Sequence, residues 1–222
     1  MIVVIDGPAG SGKSSTAKAV AAKLQIQFLD SGALYRVATL VYLNCQKDYQ
    51  KFFEQLEESE ISFHFKKKKF HAFLDGRDVS DEIRSMEISE NVSEVASNSD
   101  VRAFVNQLMR EVVKQNVYIA DGRDLGTAVF PDADLKFFMV ADLETRAKRR
   151  FEEVKSSGKN VTLEEVKQNI AARDEKDSNR SSDPLKKADD AILIDTSEMT
   201  FEEQVAFIST EIKEVIASQN KT

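Results

Sequence analysis

Apolar positions along this chain follow two rhythms in turn, one continuous and one helical. Ile2-Val3-Val4-Ile5 is an unbroken β-branched run without polar alternation, the pattern of a strand buried on both faces. From Lys13 to Leu24 the residues Ala17, Val20, Ala21 and Leu24 recur at helical spacing and make one apolar face. Phe28-Leu29 predicts a second short strand ending at Asp30, and Ala33 to Leu43 a second helix. Strand patterns return at Val117 to Ala120, Lys136 to Val140 and Ala191 to Ile194, running into Asp121, Ala141-Asp142 and Asp195. Helical patterns fill Ser89 to Gln115, the stretch from Asp142 to about Val154, a segment beyond Val161, and Phe201 to Ala217. Strands alternating with helices predict an α/β fold: a parallel five-stranded sheet flanked by helices, joined by crossover connections.

The rhythm breaks between about Ser59 and Arg84. Ile61, Phe63 and Phe65 alternate with polar residues, as do Phe70, Ala72 and Leu74, with Lys66 to Lys69 between them. This predicts a small inserted hairpin with one wet face. The four lysines read as a solvated turn that discourages edge pairing, with a phosphate patch as the alternative. His64 and His71 lie in the hairpin without a cysteine or carboxylate at ligand spacing, so they carry little metal signal.

Composition narrows the function classes. The 222 residues fit one domain, and 41 % hydrophobic content supplies a core. No apolar run approaches the ~20 residues that span a bilayer. The opening strand is too short, and lacks the basic leader, to be a signal peptide. A single cysteine, Cys45, cannot form an internal disulfide and reads as packing. Together these predict a cytoplasmic protein with no membrane partner. A net charge of −7 argues against polymeric nucleic acid as a ligand, whereas small anions remain open to local arginine clusters.

Gly7-Pro8-Ala9-Gly10-Ser11-Gly12-Lys13-Ser14 matches G-x-x-x-x-G-K-[ST], a P-loop, between a buried strand and a helix. Its backbone N–H groups and the helix N-terminus suit phosphate. Lys13 is the candidate for the β- and γ-phosphates of ATP, and the Ser14 hydroxyl for Mg²⁺. Asp30 to Arg36 and Asp121-Gly122-Arg123-Asp124 follow the second and third strands. Both turns emerge at the carboxyl edge of a parallel sheet, so Arg36 and Arg123 can converge on a second phosphate there. Arg146, Arg149 and Arg150 share one helix face, and Arg173, Asp177 and Arg180 share another if the later helix runs so far. These faces flank Lys155 to Val161, a loop suited to a flap over transferring phosphates. The competing reading is pairing within the first helix, Asp142 with Arg146 and Glu153 with Arg149.

Over essentially its whole length the chain resembles the bacterial cytidylate kinases. The matching stretches are Ile5 to Pro8 with the P-loop, Asp30 to Arg36, Asp78 to Arg84, Asp121 to Thr127, Val129 to Ala133, and Arg173-Asp174 through Asn179-Arg180. The resemblance implies a P-loop nucleoside monophosphate kinase fold over 1–222. Its core would be 1–35 and 85–222, its acceptor-binding segment with the inserted hairpin 36–84, and its lid 155–180. It implies ATP held by Gly7, Pro8, Ala9, Gly10, Ser11, Gly12, Lys13, Ser14 and Ser15, with Arg146 and Arg150. Ser31, Arg102 and Asp124 would recognise cytosine and Asp177 the sugar hydroxyls. Tyr35, Arg36, Arg123, Arg173 and Arg180 would serve the acceptor phosphate, with Lys13, Arg123, Arg173 and Arg180 as the catalytic cations. The implied reaction moves the terminal phosphoryl group of ATP, with Mg²⁺, to CMP or dCMP, without an obligate protein partner. Many members have Lys-Gly-Thr or Lys-Ser-Thr where this chain has Lys13-Ser14-Ser15-Thr16; Ser14 keeps the hydroxyl that the metal needs. Two rivals remain: a kinase of another small acceptor (UMP, AMP or a shikimate-like metabolite), and a P-loop switch that binds a nucleotide and a protein.

Overall fold

The computed structural model describes residues 1–66, 69–114, 116–156 and 161–219. In chain order the elements are β1 (Ile2–Asp6), α1 (Lys13–Leu24), β2 (Gln27–Asp30), α2 (Ser31–Asn44), α3 (Tyr49–Glu58), β3 (Ile61–Lys66), β4 (Lys69–Leu74) and β5 (Arg77–Asp78). There follow α4 (Met86–Val95), α5 (Ser99–Val112), β6 (Tyr118–Gly122), β7 (Leu135–Val140), α6 (Leu143–Ser156), α7 (Leu163–Asn179), β8 (Ile192–Asp195) and α8 (Phe201–Gln219).

Five strands form one sheet in the order β2-β6-β1-β7-β8, and every pairing is parallel. The unbroken apolar run of β1 takes the central position, where Val3, Val4 and Ile5 are fully buried. Burying side chains of this size stabilises by roughly 1.5–3 kcal/mol each. Register brings the carboxyl ends together: Asp6 lies opposite Gly122 and Phe138, and Asp30 opposite Asp121. The chain crosses from β1 to β2 on one side of the sheet and later from β6 over β1 to β7 on the other, so the crevice of the fold opens at this edge.

The inserted segment is a separate antiparallel sheet, β3-β4-β5, with His64 opposite His71 and Phe65 opposite Phe70. Its apolar face covers β2: the Phe28 ring meets Phe65 at 5.5 Å and Phe70 at 6.1 Å, both edge-on. Of the lysine turn, residues 67 and 68 lie outside the described residues. His71 faces Asp78 at 3.2 Å, and the described residues hold no group of three or more His, Cys, Asp or Glu side chains placed for a metal. Cys45 is half-buried against the core.

Four local differences from the sequence expectation have physical causes. The helical pattern 89–115 is two helices. Asn98 interrupts it by accepting the N–H groups of Asp100 and Val101 at the start of α5. Helix α3 was not expected, although Phe52 and Leu56 form its buried face and Asp48 caps it. Strand β5 is two residues long, too short to leave a pattern. Helix α7 stops at Asn179, and Arg180 is extended (φ −65°, ψ 144°). Arg180 therefore does not continue the helix face of Arg173 and Asp177; it enters the cleft from the chain beyond the helix.

Candidate active site

The P-loop wraps tightly because side chains are excluded from its first turn. Gly7 has φ 151°, and a Cβ there would stand 2.1 Å from the Met139 carbonyl oxygen. The loop closes on Gly12, from which α1 begins at Lys13. Two charged residues brace it from behind. Asp174 accepts the Ala9 N–H at 3.0 Å, and Arg146 donates to the Ala9 carbonyl at 2.9 Å while pairing closely with Asp174. Arg146 thus lies beneath the loop rather than on the cleft wall, and its carboxylate partner is Asp174 on α7, not Asp142. Asp142 instead caps α6 through the N–H of Thr145.

Lys13 is buried and donates to the Pro8 carbonyl at 2.9 Å. Burial, then the nearby Arg123 and Arg173, lower its pKa to about 7 despite the opposing pull of Asp121. At the end of β6, the Ser14 hydroxyl donates a short hydrogen bond to Asp121. Burial, reinforced by Asp30, raises the Asp121 pKa to about 6, and its Oδ1 is buried without a hydrogen-bond partner among the described residues. A hydroxyl and a carboxylate with an unused oxygen, set beside the P-loop lysine, form a donor set that fits Mg²⁺. That ion takes one or two protein oxygens and fills its shell with phosphate and water.

Opposite the P-loop lies a ring of arginines. Arg123 donates to Asp177 at 2.8 Å. Arg36 donates to the Ile83 carbonyl at 3.1 Å and to the Ser89 hydroxyl at 2.9 Å. Among the described residues the Arg173 guanidinium makes no hydrogen bond or ion pair. Burial, then Arg123, lowers its pKa to about 10. Farther in, Asp124 pairs with Arg102 through one oxygen and with Arg180, at 2.8 Å, through the other. Burial raises the Asp124 pKa, and the two arginines oppose that rise. Arg102 is almost fully buried, with its guanidinium carbon 5.6 Å from the Tyr35 ring centre. The Tyr35 hydroxyl donates to Asn106 at 3.2 Å, and the Ser31 hydroxyl donates to the Asp121 carbonyl at 2.6 Å.

These groups share one cleft of about 790 Å³. Its wall includes Ala9, Gly10, Gly12, Lys13, Ser14 and Ser15 at one end. Ser31, Tyr35, Arg36, Arg123, Asp124, Arg173, Asp177 and Arg180 line the other. Gly7, Pro8, Ser11, Arg102 and Arg146 are not among the residues that line the cleft. Arg149 and Arg150 both line the cleft; Arg150 pairs with Glu153 at 2.9 Å, and Arg149 donates to the Thr196 carbonyl at 2.6 Å. The hairpin strands do not reach the cleft; Ile83 and Arg84 just after them do. Residues 157–160, within the proposed flap, lie outside the described residues. Sequence reasoning passed over Asp121, Asp174 and Asp183. Asp121 carried a usable signal, a carboxylate at the end of a buried strand beside the P-loop strand. The other two act only through tertiary contacts.

A P-loop facing an arginine-lined pocket across one cleft defines a P-loop phosphotransferase with a separate site for its acceptor. The family model for cytidylate kinase matches residues 3–214. The chain belongs to the cytidylate kinase family. It is 45 % identical to a cytidylate kinase of Clostridioides difficile over 96 % of this chain and 98 % of that one. A cytidylate kinase of Chloroherpeton thalassium is likewise 45 % identical, over 98 % of this chain and 95 % of its own. Among solved structures, a gluconokinase from Sinorhizobium meliloti aligns with TM-score 0.51 at 13 % identity, over 98 % of this chain and 95 % of its own. An uncharacterized protein from Eubacterium ventriosum aligns with TM-score 0.51 at 16 % identity, over 98 % of both chains. These two likenesses concern the fold alone.

Proposed function

We propose that the protein transfers the γ-phosphoryl group of ATP to CMP or dCMP, giving ADP and CDP or dCDP. The observation that carries the reading is the unbalanced cation cluster in mid-cleft. Lys13 is buried and Arg173 half-buried, both have lowered pKa values, and Arg123 contributes to both shifts. A phosphate on each side would supply the missing anions.

The reaction asks for no attacking side chain. An oxygen of the acceptor phosphate bonds to the γ-phosphorus, the bond to the bridging oxygen breaks, and ADP leaves with its electron pair. Catalysis is then positioning and charge neutralisation. The P-loop from Gly7 to Ser15 holds the donor phosphates, with Arg146 supporting the loop through Ala9 and Arg150 on the wall above. Lys13, Arg123, Arg173 and Arg180 spread the growing negative charge. When bound with ATP, Mg²⁺ adds electrostatic stabilisation of that charge, and Ser14 and Asp121 are the residues to hold it.

Tyr35 and Arg36 position the acceptor phosphate, and Asp177 takes the sugar hydroxyls. Ser31 and Asp124 meet the cytosine edge, with Arg102 acting from behind through Asp124. A carboxylate at that edge accepts from the cytosine amino group and meets the uracil carbonyl badly. Segments 36–84 and 155–180 serve as acceptor-binding segment and lid, closing to exclude water that would otherwise consume ATP. No helix of the described residues is long and apolar enough to cross a membrane.

ADP release coupled to a spectroscopic readout, across CMP, dCMP, UMP, AMP, shikimate and gluconate, tests the reading. CMP and dCMP should give the highest kcat/KM. Faster turnover of any other acceptor, or turnover of none, overturns it.

A further inference from the structure

Asp183 stands apart from every residue assigned above, yet it touches two of them. After α7 ends, the chain doubles back so that the Leu185 N–H donates to the Asp177 carbonyl at 2.8 Å. Asp183 sits in that return with φ 49°. Aspartate tolerates this left-handed region better than most residues, but here Pro184 follows. A proline ring pushes its predecessor toward extended backbone, so the conformation is held against a local preference. Strain of this kind persists where surrounding contacts over-determine the backbone.

The contacts are specific. The Asp183 carboxylate accepts from Nε of Arg102 at 2.9 Å. Its main-chain carbonyl accepts from Nε of Arg180 at 2.7 Å and closely from Nη2 of the same guanidinium. Arg102 is further fixed by donating to the Ala96 carbonyl at 3.3 Å. One residue therefore grips two guanidinium groups from behind, each through Nε. The Nη2 atoms of both then meet Asp124 from opposite sides. Two arginines and two aspartates leave this cluster without net formal charge, so Asp124 can meet a neutral base while Arg180 stays within reach of the phosphate side.

We infer that Asp183 is a positioning residue for base recognition, its carboxylate setting Arg102 and its carbonyl setting Arg180 in the pose that fixes the Asp124 carboxylate. The inference rests on the reading that Asp124 meets the acceptor base. The left-handed backbone makes a clean test available. Asp183→Gly keeps that backbone without strain, and with it the carbonyl contact to Arg180, while removing only the carboxylate. Asp183→Asn keeps an acceptor oxygen for Arg102 without the charge.

KM for CMP should rise about tenfold in Asp183→Gly, the worth of one charge-assisted hydrogen bond, and about threefold in Asp183→Asn. The preference for CMP over UMP should fall alongside, while kcat and KM for ATP stay within about twofold. Asp124→Asn serves as the reference arm. If it raises KM for CMP and lowers the preference while Asp183→Gly changes only the melting temperature, Asp183 is a turn residue and the inference is overturned. If Asp124→Asn leaves both quantities unchanged, the base-site reading fails, and this inference with it, whatever Asp183→Gly does.

Discussion

The two ends of the cleft solve the same problem, holding anions, by opposite means. The donor end is built mostly from backbone. Its geometry follows from Gly7 and Gly12 and from the start of α1, and its lysine donates to a main-chain carbonyl, that of Pro8. The acceptor end is built from long side chains drawn from α2, α5, α7 and the chain beyond β6. Its cations rest largely on carboxylates: Arg123 on Asp177, and Arg102 and Arg180 on Asp124. A backbone cage is preformed and indifferent to which nucleoside carries the phosphates. A set of paired charges has alternatives, and a ligand must compete with those pairs. Selectivity belongs at the end where the wrong ligand leaves buried partners unpaired.

The largest effect should come from the donor end. Lys13→Ala should lower kcat by about 10³-fold or more, with thermal unfolding little changed, because charge on the transferring group is lost while a buried, partly discharged lysine contributes little to folding. Wild-type turnover in a folded Lys13→Ala protein would remove the P-loop from the chemistry. Next is Arg173→Ala, which should reduce kcat/KM for CMP by roughly 10²-fold. Because Arg173 has no partner to strand among the described residues, its loss should not destabilise the fold. A melting temperature lowered together with unaltered kinetics would make Arg173 structural.

A smaller signal separates the two ends by proton count. Burial and the neighbouring arginines hold the Lys13 pKa near 7 in the free protein. Donor phosphates favour the charged form and raise it again, so binding takes up protons between the free and bound values. Calorimetry of ATP-analogue binding in buffers of different ionisation enthalpy should show uptake approaching one proton at about pH 8 and little at about pH 6. Proton release at pH 8, or uptake that persists in Lys13→Met, would contradict the assignment.

The same contrast explains what could be read in the sequence. The donor end is one contiguous stretch whose spacing is its geometry, and α1 starts and stops at the expected residues, Lys13 and Leu24. The central position of β1 was likewise written in its unbroken apolar run. The acceptor end is scattered over about 150 residues of chain, from Ser31 to Arg180, and its parts look ordinary in isolation. Arg102 reads as a charge in the first turn of a helix; only the resemblance to a family singled it out. Arg146 had a plausible partner four residues away, but the structure gives it Asp174 on another helix. Helix α3 has a legible pattern, Tyr49, Phe52, Phe53 and Leu56 at helical spacing, but it is short and adjoins the stronger alternation of the hairpin. Asp183 left no signal at all, because a left-handed backbone and a grip on two arginines exist only once the chain has folded.

The central claim is that the acceptor end chooses a cytosine nucleotide through Asp124 and the arginines that hold it. The most direct test is kcat/KM for CMP against UMP, at saturating ATP, in the wild-type protein and in Asp124→Asn. A site built on buried polar pairing should prefer CMP by about 10²-fold or more, and Asp124→Asn should cut that preference at least about tenfold by losing the acceptor for the amino group. Equal efficiency for the two nucleotides in the wild-type protein, or an undiminished preference in the variant, would contradict the account.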